Sequence, residues 1–230
     1  MVKYRKGVKS GKQGDVIYSS WHGIPYERKM PESVANPRTE EQQAHRNAFA
    51  EISRLSSAMK VAHTVGLHNK AMRDKLNTHS VFKKINKDCY DADGINYSRV
   101  CISLGPVSGI SITSAEVDQD GIVRVAFAGY CTTENKNDEF YLFVFCPDQH
   151  EGRFIAPVAR SVGFVSAIIP EEWKGHALHL YAFMKGKRLR TSDSVYVGSF
   201  SVKKSSVGGS CHSQPTPHAG MVSTMRVPPT

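Results

Sequence analysis

The residues in this chain whose types could do chemistry are scattered, and at each place the spacing fails the reaction it resembles. Gly7-Val8-Lys9-Ser10-Gly11-Lys12-Gln13 has the glycines and lysine of a phosphate-cradling loop. It has three residues between the glycines where four are needed, and Gln13 stands where a metal-binding Ser or Thr belongs. Glu116 to Gly121 alternates acidic residues as a calcium loop does, but its twelfth position is Phe127 where a bidentate Glu is required, and an Asp-Gly hairpin turn explains it better. His63 and His68 are five apart, off a shared helical face, and His176 and His179 fall on opposite faces of a strand, so neither pair makes a metal site. The five cysteines, an odd number without a C-x-x-C pair, signal neither a disulfide framework nor a zinc ribbon. Cys211, His212 and His218 sit in a Ser/Gly/Pro-rich tail, where gathering three ligands costs a large ordering entropy. There is no G-x-S-x-G and no H-E-x-x-H. The expectation is a protein that is not an enzyme and uses no cofactor or metal.

Binding chemistry is better represented. Tyr18, Trp21 and Tyr26 stand among Lys12, Arg28 and Lys29, a composition that suits a stacking platform for bases, a peptide groove, or an apolar pin for local structure. Trp21, Tyr26, Arg28, Arg38 and Arg46 are the candidate protein contacts. The formal charge of +9 is uneven: residues 1–90 carry 17 Lys/Arg against 8 Asp/Glu, whereas residues 91–204 carry 12 against 13. A polyanion partner would therefore meet the first part of the chain, with Lys3, Arg5, Lys6, Lys9 and Lys12 as candidate contacts. Met1 to Gly14 lacks the apolar run of a signal peptide and no window has the length of a membrane span, so a cytoplasmic protein without a membrane partner is expected.

Four segments must position these residues. Residues 1–14 mix basic side chains with glycines and offer too little apolar surface to offset ordering, which predicts a flexible basic arm. Residues 15–94 should hold a β-hairpin turning at His22-Gly23, then a helical segment. Thr39-Glu40-Glu41-Gln42 is a capping box, and Ala44, Ala48, Ile52, Leu55, Met59 and Ala62 form one stripe at helical steps. Gly66 ends that helix in this reading, and a second helix with Ala71, Met72, Leu76, Val81, Phe82 and Ile85 pairs with it as a helical hairpin. Residues 95–204 change to a period of two: Val100–Leu104, Ile110–Val117, Ile122–Ala128, Glu139–Cys146, Val162–Ile168, Leu178–Met184 and Ser194–Val202 predict an antiparallel immunoglobulin-like β-sandwich. In Glu139–Cys146, apolar on both faces, Phe140, Leu142 and Val144 should face one way and Tyr141, Phe143 and Phe145 the other. Residues 205–230 predict a disordered tail. The fold class is α+β.

Taken together, Gly11-Lys12-x-Gly14, Trp21-x-Gly23-Ile24-Pro25-Tyr26-x-Arg28 and Asn36-Pro37-Arg38-Thr39-x-x-Gln42-x-x-x-Arg46-x-x-Phe49 resemble the opening of the Bacteroidota proteins grouped as domain-of-unknown-function family 6266. Pro170-Glu171-Glu172-Trp173-Lys174-Gly175 and Ser192-x-Ser194-Val195-Tyr196-Val197-Gly198 are similar to its later part. The resemblance spans residues 7–202 and implies no activity. The Asn-Pro-x-Thr-x-x-Gln-x-x-x-Arg pattern is also similar, more weakly, to segments of phage and prophage structural proteins, which implies by analogy a virion-associated component. The sequence thus predicts a non-enzymatic assembly or binding protein that contacts protein, by self-association or within a particle, through Trp21 to Arg46. The alternative is a nucleic-acid-binding protein that uses the basic residues 1–90, with weak and non-specific binding expected.

Overall fold

The computed structural model describes residues 3–5, 8–21, 23–33, 38–91 and 93–202. They fall into two units, residues 1–51 and 52–230.

In the first unit Lys3–Arg5 (β1), Val8–Gln13 (β2), Val16–Trp21 (β3) and Ile24–Lys29 (β4) form a four-stranded antiparallel sheet in chain order. The expected flexible arm is therefore largely strand. Main-chain pairing needs no apolar side chains, and apolar surface was all that the composition of residues 1–14 could count. The expected hairpin is present: Trp21 pairs with Ile24, and Gly23 takes φ +86°, which favours glycine. The capping box is half formed. The Gln42 N–H donates to Thr39 Oγ1 at 3.4 Å, but it is Gln43 that reaches back, its Nε2 donating to the Arg38 carbonyl at 2.9 Å. Helix α1, Glu40–Ala58, starts there and runs past the division between units.

The second unit continues with α2 (Lys60–Gly66), α3 (His68–Asp74) and α4 (Thr78–Ile85). Gly66 is the last residue of α2, as expected. The break is brief: Leu67 N–H still donates to the His63 carbonyl and Ala71 N–H to that of Leu67, and α3 starts at His68, while the Gly66 carbonyl bonds outside the helix. The reversal comes nine residues later, at Lys75 in the left-handed region (φ 53°), after which Asn77 caps α4 by accepting from Ser80 N–H at 2.7 Å. The hairpin of helices thus closes around Lys75–Asn77, where α4 packs back on α2 and α3, and Met72 and Leu76, expected inside, are exposed.

A two-residue ribbon, Tyr90–Asp91 (β5) with Gly94–Ile95 (β6), precedes the main strands: Ser111–Val117 (β7), Ile122–Ala128 (β8), Glu139–Cys146 (β9), Glu151–Ala159 (β10), Phe164–Ile168 (β11), Ala177–Lys185 (β12) and Val195–Ser201 (β13). They make two antiparallel sheets, ordered β10-β9-β12-β13 and β11-β8-β7. Strand β10 escaped the sequence reading because Gly152, Pro157 and a charged start hide its alternation. Val100–Leu104 is not a strand but an extended segment held by side-chain bonds described below.

Strand β9 has the two faces its sequence predicts. Phe140, Leu142 and Val144 join Val123 and Val125 of β8 and Leu178 and Leu180 of β12 in a core shared by the two sheets. Phe143 and Phe145 join Tyr181 and Phe183 against Ile52, Leu55, Met59, Leu67 and Phe82 of the helices. The helices therefore share a core with the β9 sheet, and the division expected at residue 94 is found at residue 51 instead. Residues 205–230, the expected disordered tail, lie outside the described residues. No described helix is long and apolar enough to cross a membrane.

Candidate functional site

The register of the N-terminal sheet decides which of its side chains meet. Trp21 pairs with Ile24, Ser19 with Tyr26, Ile17 with Arg28, and Lys12 with Ile17. Paired residues point to the same side, and every second residue shares it, so Trp21, Ile24, Tyr26, Arg28 and Lys12 lie on one face. Trp21 is 69% exposed, Ile24 65% and Tyr26 48%. Tyr18 occupies the other face with its partner Glu27, and there Lys9 Nζ stands 3.8 Å above the Tyr18 ring.

The expected contact residues are thus only partly brought together. Trp21, Tyr26 and Arg28 form one surface, whereas Arg38 and Arg46 are exposed at the start of α1. The basic candidates are divided too. Lys12 belongs to the aromatic face and Lys9 to the opposite one, while Lys3 and Arg5 lie on β1 in register with Ser10 and Val8. Lys6 lies outside the described residues.

The second unit gathers polar groups that the sequence did not reveal, and they are buried. Ser56 Oγ is 2.8 Å from His79 Nδ1, and His63 Nε2 is 2.9 Å from the Ser56 carbonyl. Burial holds the His63 pKa at about 4, below the usual 6.5. Ser56 and His63 are sealed from solvent, so the serine–histidine pair is a core contact and not an accessible nucleophile.

A second group surrounds the carbonyl of Gly66, which accepts from Ser103 Oγ at 3.2 Å, Thr191 Oγ1 at 3.0 Å and Leu104 N–H at 3.3 Å. Ser103 Oγ also lies 2.6 Å from the Ser192 carbonyl, and Ser194 Oγ accepts from Ile102 N–H at 3.1 Å. Ser192 and Ser194 therefore clasp the extended 100–104 segment, and Ser103, Leu104 and Thr191 fasten it to the end of α2. Asn86 holds its other end, accepting from Cys101 N–H at 2.7 Å and donating to the Cys101 carbonyl at 2.9 Å.

Arg160, its side chain 1% exposed, donates to the carbonyls of Ser108, Gly109 and Tyr130 and lies 3.7 Å from Asp138. Asp148 Oδ2 holds His176 Nδ1 at 2.8 Å on the surface. Asp118 to Gly121 is a hairpin turn, with Ile122 N–H bonded to Asp118 Oδ1 at 2.8 Å, and Cys89, Cys101, Cys131 and Cys146 are free thiols. Burial raises the thiol pKa values of Cys89, Cys101 and Cys146, which keeps them protonated and inert.

Trp21, Ile24 and Tyr26 thus share one exposed sheet face with Lys12 and Arg28. None of the curated proteins compared with this chain matches it. A family model does, over residues 8–198, which takes in the N-terminal sheet, the helices, the clasp and both larger sheets, and the chain belongs to that family, DUF6266, a family of unknown function.

Proposed function

We propose that this is a non-enzymatic binding protein that makes protein contacts, in self-association or within a larger assembly, through the exposed face of its N-terminal sheet. The observation that carries the reading is the exposure of Trp21, Ile24 and Tyr26 side by side on β3 and β4. A tryptophan and a tyrosine flanked by an arginine are the residue types that dominate contact energy between proteins, and a cluster of apolar side chains facing solvent marks an interaction surface. In the second unit we read the strand order β10-β9-β12-β13 against β11-β8-β7 as an immunoglobulin-like sandwich, a scaffold that carries binding surfaces without chemistry of its own.

The nucleic-acid reading keeps one supporting observation, the presence of Lys12 and Arg28 beside the two aromatic rings. Against it, Lys9 lies on the other face, over Tyr18, and is lost to any track that Lys12 and Arg28 would make for a phosphate backbone. Light scattering over a concentration series, at low and high salt and with duplex DNA added, tests both. Concentration-dependent association that Trp21→Ala abolishes is expected. A salt-steep DNA complex with a dissociation constant below about 1 µM, tighter than ordinary non-specific binding, would replace the first reading by the second.

A further inference from the structure

In the second unit the terminal strands of the two larger sheets pair on one side only. Strands β7 and β13 approach each other along one margin of the two sheets, and β10 and β11 are the terminal strands on the other. The two terminal strands are finished differently. β10 carries the devices that discourage further pairing: Pro157, the charges of Glu151 and Arg153, and an irregular register between Ile155 and Val158. β11, Phe-Val-Ser-Ala-Ile, carries none. It is uncharged and without proline, its pairing is to β8 alone among the described strands, and Ile168 is 75% and Phe164 45% exposed.

Between these strands lies a slot of about 290 Å³ lined by Ile155, Ala156, Ala167, Ile168 and Trp173. Trp173 is fully buried, yet its indole N–H meets no acceptor among the described residues. A buried tryptophan normally satisfies that donor, so the wall of the slot holds an unpartnered polar group behind its apolar lining. At its rim Arg153 stands 5.3 Å from the Trp173 ring and pairs with Glu151 at 2.9 Å and Glu172 at 3.3 Å, leaving one carboxylate in excess.

We propose that the free edge of β11 and the slot beside Trp173 together receive an extended peptide segment of a partner protein by strand addition. The main-chain groups of β11 supply the pairing, and alternate side chains of the added strand turn toward the slot. The apolar lining selects an aliphatic residue there. The excess carboxylate at the rim favours a neutral or singly basic segment over an acidic one. A slot of this size is at the small end of ligand pockets, which run to about 300–1,000 Å³, and it suits side chains of a strand better than a whole compound.

The test is a titration of the isotope-labelled full chain with a blocked eight-residue peptide of alternating valine and threonine with one lysine, followed by NMR. Saturable shifts at the Phe164–Ile168 amides and at the Trp173 indole N–H are expected. Ile168→Asp, at an exposed position that leaves the fold intact, should weaken the peptide at least about tenfold, because it removes an apolar wall of the slot and a charge would have to lose its water beneath the added strand. Trp21→Ala should leave the titration unchanged, which separates this site from the N-terminal face. The proposal is overturned if β11 and Trp173 do not respond, or if Ile168→Asp binds as the wild type does. It is also overturned if protein concentration alone, without peptide, produces the same shifts, since the edge would then belong to a second copy.

Discussion

The N-terminal sheet and the β9 sheet have the same number of strands and the same antiparallel pairing, yet they use their side chains in opposite ways. In β9 both faces are buried, one against β8 and one against the helices. From Lys9 to Glu51 no described side chain is buried, and β4 is exposed along its whole length. Hydrogen-bonded pairing alone makes a sheet that is marginally stable at best, and burial adds about 25 cal/mol per Å² of apolar surface. The difference teaches that strand pairing and core formation are separate achievements of this sequence. Where pairing occurs without a buried core, Trp21, Ile24 and Tyr26 stay exposed.

The most severe way to break the contrast is to damage the well-buried region at its charged tie. Arg160→Ala removes the guanidinium that serves three carbonyls and leaves Asp138 without its cation. Breaking a buried pair from one side costs about 3–5 kcal/mol. Urea denaturation should show that loss, and a change below about 1 kcal/mol would mean that water replaces the arginine without penalty.

Acid should come next. With the folded His63 titrating at about 4 and the unfolded ring at 6.5, the unfolded chain holds more protons between those values. Stability contributed by the neutral ring is therefore complete above pH 6.5 and is lost as pH falls toward 4, by up to about 3 kcal/mol at 1.36 kcal/mol per unit. His63→Leu should flatten that part of the stability–pH curve. An unchanged slope would assign the acid sensitivity to other groups.

Gly66→Ala has an effect whose sign is informative. In an ordinary helix interior the change stabilises by about 0.8–1 kcal/mol. Here a methyl group would collide with the Ile102 carbonyl and lie 2.7 Å from Ser103 Cβ, so a loss of about 1–3 kcal/mol is expected from overpacking. Thermal melts of the single variant decide it, and a rise in melting temperature would show that the clasp yields.

Gly66 also marks how far the sequence could be read. As a type it is a helix terminator, and α2 does end there, but nothing local shows that its carbonyl is taken by Ser103, Leu104 and Thr191, which lie far along the chain. Strands β8 and β9 were legible to the residue because period-two alternation and flanking turns are local signals. Strand β10, the pairing of β1 with β2, and the placing of Arg160 depend on partners distant in sequence or on main-chain bonds that leave no mark in composition. The candidate face was half legible: aromatic and basic types were visible around Trp21, but only the register shows that Lys12 lies with them and Lys9 does not.

The mildest change bears most directly on the comparison. If Trp21 serves contact and not the fold, Trp21→Ala should shift stability by no more than about ±0.5 kcal/mol, as surface substitutions do. Its cross-strand partner Ile24 is nearly as exposed, so the pair buries little area to lose. Denaturant melts of the dilute protein measure this without interference from association. A loss above about 2 kcal/mol is characteristic of a residue truncated in a packed core. It would mean that the N-terminal sheet has a hidden core after all, and would remove the contrast on which the binding role rests.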